Sequence, residues 1–346
     1  MAFCNSNNKQ YTFILAPVFC AALAGCGGGD DSSAAAPSST DTLTAVVITE
    51  SNMADVAGGV IMASTANDLG TSQTSLAMAV ETNSIPAPTD TLMNLAVEQA
   101  KAASSRLAAQ DAVVGAETLQ IVNCSGGGTA TYTSSFQSST PSAGDTVGAS
   151  FSNCLEGGVL MNGGLTLTIN SFSGDFAPDG AMDISVVFSN LRVDDTQTAF
   201  NANGDMRIAA TFIGTTSDIS ILANSIAYGI ESGGNSFGLT LTNMNADTVG
   251  DLDMDTSHVS EHFAARFPTF SGSGDVSTVA PLVDFLSTVG LDAGTLKVTG
   301  GNNSVLYITF QAGDLVFLEL DADNNGLIDA SATRSISELD PLAGSV

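Results

Sequence analysis

The chain has no tryptophan and only four tyrosines in 346 residues. Membrane-spanning β-barrels carry aromatic girdles at both water interfaces, so this composition argues against a barrel of that kind. Basic residues are scarce as well: eight Lys and Arg stand against 36 Asp and Glu, a formal charge of −28. A surface of that sign repels phosphate backbones and anionic headgroups, which argues against a nucleic-acid partner and leaves cations as the natural counter-charge. Charged residues make up 13% of the chain and apolar ones 44%, so Ser, Thr, Asn and Gly must dress much of the surface. Long apolar runs are also lacking. The sustained one, Phe13 to Ala24, falls short of the ~20 residues that a spanning helix needs.

That run has the length of a signal-peptide core. It follows a polar stretch, Met1 to Tyr11, whose one positive side chain is Lys9, and it closes in Leu23-Ala24-Gly25-Cys26. This tetrapeptide at the end of an apolar core resembles the lipobox of bacterial lipoproteins. The resemblance implies cleavage before Cys26, loss of residues 1–25 as a signal peptide, and attachment of three acyl chains, palmitate among them, to Cys26. It also implies an outer-membrane rather than inner-membrane address, because Gly27 and not Asp follows the cysteine. The alternative is an ordinary signal peptide with a chance cysteine. An anchor of this kind suffices physically: each buried methylene contributes ~0.8 kcal/mol, and two chains already hold a protein stably. The expected partner is therefore the membrane, through the N-terminal lipid. Residues 26–43 are Gly, Ser, Ala, Pro, Asp and Thr almost throughout and read as a flexible tether.

Cysteine usage fits export. Cys4 and Cys20 leave with the signal, Cys26 takes the lipid, and Cys124 and Cys154 remain. An exported protein with one remaining pair is expected to oxidise it. Such a bridge restricts the unfolded chain by ~3–4 kcal/mol in the entropy account. Two separate buried thiols are the alternative.

Residues 44–112 read as a helical segment. From Thr49 to Thr65, Met53, Val56, Ala57, Val60 and Ile61 recur as a single apolar stripe, with Thr49 or Ser51 as the cap. Gly58-Gly59 weakens that helix and allows close packing. Residues 66–88 read as linker. A second helix is expected from Asp90 to Gln110, with Leu92, Leu95, Ala96, Ala103 and Leu107 on its buried line. Residues 113–346 then become short β-rich runs bounded by Gly, Asn, Asp or Ser. Strands are expected at 117–123, 129–136, 145–153, 159–171, 181–193, 203–213, 216–223, 237–249, 259–267, 295–299, 304–311, 314–320 and 327–337. Asn162-Gly163, Asn203-Gly204 and Asn325-Gly326 read as hairpin turns, because these pairs reach positive φ cheaply. Residues 279–289 read as a short helix interrupting the meander. The expected fold is mainly β (α+β): a curved antiparallel meander, or an open barrel-like sheet, packed against an N-terminal helical pair.

The run Cys124-Ser125-Gly126-Gly127-Gly128, with Asn153-Cys154 thirty residues on, and the run Gly294 to Gly300 resemble exported β-rich proteins of Gram-negative bacteria. That resemblance implies no particular activity. Four shorter motifs carry candidate chemistry. Asp321-x-Asp323-x-Asn325-Gly326-x-Ile328-Asp329 resembles the first nine positions of a calcium loop, with oxygen ligands at alternate positions and a glycine at the sharp turn. Position twelve is Ala332, so the bidentate glutamate is missing, and the flanks read as strands; any Ca2+ there would be structural. The competing reading is an acidic hairpin turn.

His258-x-x-Glu261-His262 holds both histidines of the chain and resembles the inverted zinc-peptidase motif, which implies a metal-dependent hydrolase with Glu261 as base. That chemistry needs a helix. On a strand the two histidines stand ~13 Å apart, too far for one ion. Gly234-x-Ser236-x-Gly238 precedes a strand rather than a helix, so it reads as a turn and not a nucleophile elbow. The glycines at 126–128 lack a phosphate-binding helix behind them. With no convergent catalytic set, the sequence points to a lipid-anchored envelope protein of non-enzymatic binding or structural role. Its expected partners are an envelope protein or an apolar ligand held between sheet and helices.

Overall fold

From Glu117 onward apolar side chains recur at every second position, and the chain forms strands that each bury one face. The computed structural model describes residues 44–67, 117–137, 142–174, 179–194, 198–232, 234–251, 256–266, 272–285 and 291–339. These fall within one unit, Ser38–Val346. Chain order runs α1 (Met53–Asn67), β1 (Glu117–Asn123), β2 (Thr129–Ser135), β3 (Thr146–Glu156), β4 (Val159–Gly174), β5 (Asp179–Asp194), β6 (Thr198–Ile213) and β7 (Thr216–Ser232). It continues with β8 (Asn235–Asp251), β9 (Thr256–Arg266), β10 (Ser273–Phe285), β11 (Leu291–Thr299), β12 (Val305–Gln311), β13 (Leu315–Asp321), β14 (Ala330–Ser335) and α2 (Ile336–Leu339). Each strand pairs antiparallel with its sequence neighbours, giving one open 14-stranded meander whose edges are β1 and β14. The expected mainly β meander is what forms. The second expected helix, 90–110, the tether and Cys26 lie outside the described residues.

Strands β4 to β8 run to 16 or 17 residues, well beyond the usual ~3–10. They are bent by a seam of bulges that crosses the sheet. Pairing shifts register between Phe151 and Cys154 on β3, Asn162 and Gly164 on β4, Phe188 and Leu191 on β5, Gly204 and Arg207 on β6, and Thr242 and Asn245 on β8. On β3 and β5 the bulge adds a residue, so two neighbours point outward between two buried ones: Ser152-Asn153 on β3 and Ser189-Asn190 on β5. Asparagine supplies the unusual backbone. Asn153, Asn190 and Asn243 have φ of 47°, 47° and 51°. The extra amides are bonded across the seam, Asn153 N–H to Asn162 Oδ1 (2.7 Å) and Asn190 N–H to Asn203 Oδ1 (3.1 Å). Asn162-Gly163 and Asn203-Gly204 are thus not hairpin turns, as the sequence suggested. They reach positive φ in mid-strand, where the seam needs it.

The bent sheet wraps around α1. One continuous core joins Val56, Ala57 and Val60 to buried side chains of β3 through β13. The single apolar stripe read from the sequence is an underestimate. Between Met53 and Ser64 only Asp55 is exposed, so the helix is enclosed rather than laid on one face. Asn52, not Thr49 or Ser51, precedes the first helical turn. Its side chain reaches backward, accepting from Thr49 N–H (2.7 Å) and donating to the Val47 carbonyl (3.0 Å). Gly58 does permit close packing: a methyl there would overlap the carbonyl oxygen of Leu339 in α2.

Residues 44–48 lead into α1 through a slot beside β10 and β11. Val46 N–H donates to Ser273 O (2.9 Å), Gly301 N–H donates to Val46 O (2.6 Å), and Ile48 N–H donates to Ser304 Oγ (2.9 Å). Side chains at Gly272 and Gly300 would collide with Val46, which is why the backbone can pass there. Strand β10 corrects the helix expected at 279–289: residues 279–285 complete the strand, and 286–290 lie outside the described residues. Its Pro281 sits where pairing with β9 is interrupted between Gly274 and Leu282, so its missing N–H costs no ladder bond.

Candidate functional site

Three places gather the polar side chains singled out in the sequence: β9, the β13–β14 turn and the disulfide. On β9 alternation separates the motif. His258 and His262 face outward and are exposed, whereas Glu261 faces inward and is 4% exposed. His262 Nε2 lies 3.3 Å from Asp275 Oδ1. Glu261 accepts from Ser64 Oγ of α1 at the core end of the helix. Its backbone N–H donates to Thr278 Oγ1 (2.8 Å), which donates back to the Glu261 carbonyl (3.2 Å) across the interrupted β9–β10 pairing. The strand thus puts the carboxylate and the imidazoles on opposite faces. The arrangement can tie α1 to the sheet; it does not assemble a zinc-peptidase centre. The strand expected at this motif is what forms; Ser64 had no local signal in the sequence, because it is buried on a helix enclosed all round.

The β13–β14 turn brings Asp321, Asp323 and Asp329 together, with one carboxylate oxygen of each within 4.8 Å of the others. Asp321 is buried and organises the turn. Its Oδ1 accepts Asn325 N–H (3.0 Å) and its Oδ2 accepts Gly326 N–H (2.8 Å). Burial pushes this carboxyl up, but the N–H groups of Gly326, Asn325, Asn324 and Asp323 outweigh it and hold the pKa below the ordinary Asp value. Asp329 Oδ2 accepts Ala322 N–H (2.7 Å) and closes the turn from the other side. Asn325 Oδ1 accepts Leu327 N–H (2.8 Å). The three carboxylates offer hard oxygen donors of the kind a divalent cation takes. Asn325 spends its oxygen inside the turn, and Ala332 is already paired within β14.

Cys124 and Cys154 are joined, with Cα atoms 5.4 Å apart. The bridge ties the end of β1 to the end of β3. Around it Gly126 N–H donates to Leu155 O (2.8 Å) and Leu155 N–H donates to Gly127 O (3.0 Å). The glycines at 126–128 thus serve a turn that must lie against β3 rather than cradle a phosphate. Gly234-x-Ser236-x-Gly238 likewise forms the β7–β8 turn and the start of β8, as read from the sequence.

On the outer face two arginines hold acidic neighbours. Arg192 bonds Glu231 Oε1 (2.9 Å) and Asp194 Oδ2 (3.1 Å), and Arg207 pairs with Asp183, which also accepts from Asn170 Nδ2 (2.9 Å). The Arg207 hydrogen bond, against some burial, keeps Asp183 below its ordinary range, and Arg192 does the same for Glu231.

No helix among the described residues is long and apolar enough to cross a membrane. No protein family matches the chain, and no curated protein or solved structure is significantly similar to it.

Proposed function

We propose that the protein is a lipid-anchored lipoprotein of the cell envelope, carried on the outer membrane by acyl chains on Cys26, with a binding or structural role rather than a catalytic one. The observation that carries this reading is the closing motif of the apolar run, Leu23-Ala24-Gly25-Cys26, with Gly27 after it. The Cys124–Cys154 bridge supports it, because such bonds persist in oxidising compartments. Support for a non-catalytic role comes from β9, where Glu261 and the two histidines do not converge. Support for an outer-surface role comes from α1. It fills the interior where an apolar ligand between sheet and helix would sit, with Val56, Ala57 and Val60 fully buried. A neighbouring envelope protein is therefore the partner this reading favours over a small apolar ligand.

The test is fractionation of cells expressing the full chain. Wild type should follow the outer membrane and enter a detergent phase, and Cys26→Ala should not. Equal partitioning of the two proteins would defeat the anchor. Purified protein should also carry no stoichiometric zinc; one zinc per chain, lost in His262→Ala, would favour the hydrolase instead.

A further inference from the structure

The chain contains three Asn-Gly pairs: Asn162-Gly163, Asn203-Gly204 and Asn325-Gly326. Glycine carries no Cβ to shield its amide nitrogen. An Asn-Gly pair can therefore deamidate without any other reagent than water. The Gly nitrogen loses its proton and bonds to the Asn Cγ, the Cγ–Nδ2 bond breaks, and ammonia leaves with that proton. Water then opens the five-membered ring to aspartate or isoaspartate. In the ring the N–Cγ bond takes the place of the N–H bond, so whatever holds that N–H elsewhere opposes the reaction.

Two of the pairs are held by the sheet. Asn162 and Asn203 accept the seam amides of Asn153 and Asn190, and Gly163 and Gly204 lie inside β4 and β6 with the next strand's backbone against them. Asn325-Gly326 is different. It is exposed and lies outside any strand. Its restraint is one side chain, the Asp321 carboxylate, which accepts both Asn325 N–H and Gly326 N–H, while Leu327 N–H fixes the amide oxygen of Asn325.

We propose that Asn325 is the chain's conditional deamidation site, and that Asp321 keeps it unreactive by holding the Gly326 N–H away from the Asn325 side chain. Opening of the turn releases the N–H and starts the reaction. Loss of ammonia makes the change irreversible, and the product adds a carboxylate to a turn that already carries Asp321, Asp323 and Asp329, which makes the turn harder to reclose.

The test is peptide mapping by mass spectrometry, with isoaspartate quantification, after incubation of the intact protein and of the guanidinium-unfolded protein at the same pH. Loss of a charge-assisted hydrogen bond predicts that Asn325 deamidates about tenfold or more slowly in the folded chain. Asp321→Ala in the folded protein should bring Asn325 toward the unfolded rate while Asn162 and Asn203 stay intact. Equal rates at Asn325 in folded and unfolded wild type would overturn the proposal, as would an Asp321→Ala rate equal to that of folded wild type. Should that variant loosen the whole sheet, Asn162 and Asn203 will react too, and the wild-type comparison alone decides.

Discussion

At the scale of single residues, the fold depends on asparagines that accept a left-handed backbone. Asn190 sits at φ 47° with its N–H bonded to Asn203. A side chain with a Cβ and no local hydrogen-bonding group pays about 1–2 kcal/mol in that conformation. Asn190→Ala should therefore lower the unfolding free energy by that amount, seen as a lower urea midpoint at unchanged m-value, while Asn190→Gly should stay close to wild type; the reverse order would mean that the seam is not a backbone device.

Asp321 makes a second prediction, on pH. Its folded pKa lies below the unfolded one, so its contribution is complete above the unfolded value of about 4 and is lost as pH falls through the folded value. Neutralising the other acids relieves repulsion at the same time, so the variant difference is the clean readout. The gap in melting temperature between wild type and Asp321→Asn should be widest near pH 7 and shrink below about pH 4. A gap that does not change with pH would show that the N–H groups of the turn gain nothing from the ionised form. The sequence made positive φ legible at Asn162-Gly163 and Asn203-Gly204 but not its purpose. A turn and a bulge ask the same of the backbone, and only the pairing partners distinguish them.

At the scale of elements, α1 and β10 mark the limits of periodicity. The apolar stripe of α1 was legible because Val56, Val60 and Ile61 recur at helical spacing. Its full enclosure was not, because the alanines and glycines of its other faces look the same against solvent as against a sheet. Gly58 tests the enclosure. An alanine gains about 1 kcal/mol of helix propensity but collides with the Leu339 carbonyl, a backbone atom that cannot turn away. Gly58→Ala should therefore cost a net ~1–2 kcal/mol by urea unfolding; a stabilised variant would mean that α1 and α2 are not in contact. Strand β10 was hidden by Pro281, which breaks the strand pattern, and by bulges on both of its sides. The β13–β14 turn was legible both as a hairpin and as an oxygen-rich loop. Its three carboxylates repel one another at this separation, and a bound Ca2+ would offset that repulsion. Thermal melts should shift upward with millimolar calcium and return with chelator, and the shift should be absent in Asp323→Ala. Superimposable melts would leave the turn as a hairpin alone.

At the scale of the whole molecule, a chain of charge −28 has eight basic side chains, and two of them sit in acidic clusters on the outer face. Arg192 binds Asp194 on its own strand and Glu231 two strands away, and Arg207 binds Asp183 on the neighbouring strand. The sheet in turn encloses α1, and the chain reaches that helix through the slot at Gly272 and Gly300. The antiparallel meander could be read from strand patterning, because alternation over short runs is a local property. The wrapping could not, because it depends on bulges lining up between strands up to a hundred residues apart. The functional reading rests on Cys26 more than on any other residue, since the described structure offers no converged catalytic set. Its most direct measurement is the intact mass of the protein purified from envelopes, with sequencing of its N-terminal peptide. The account predicts a chain that starts at Cys26 and carries acyl groups on it. An unmodified Cys26, whether in a chain that retains residues 1–25 or in one cut elsewhere, would contradict it.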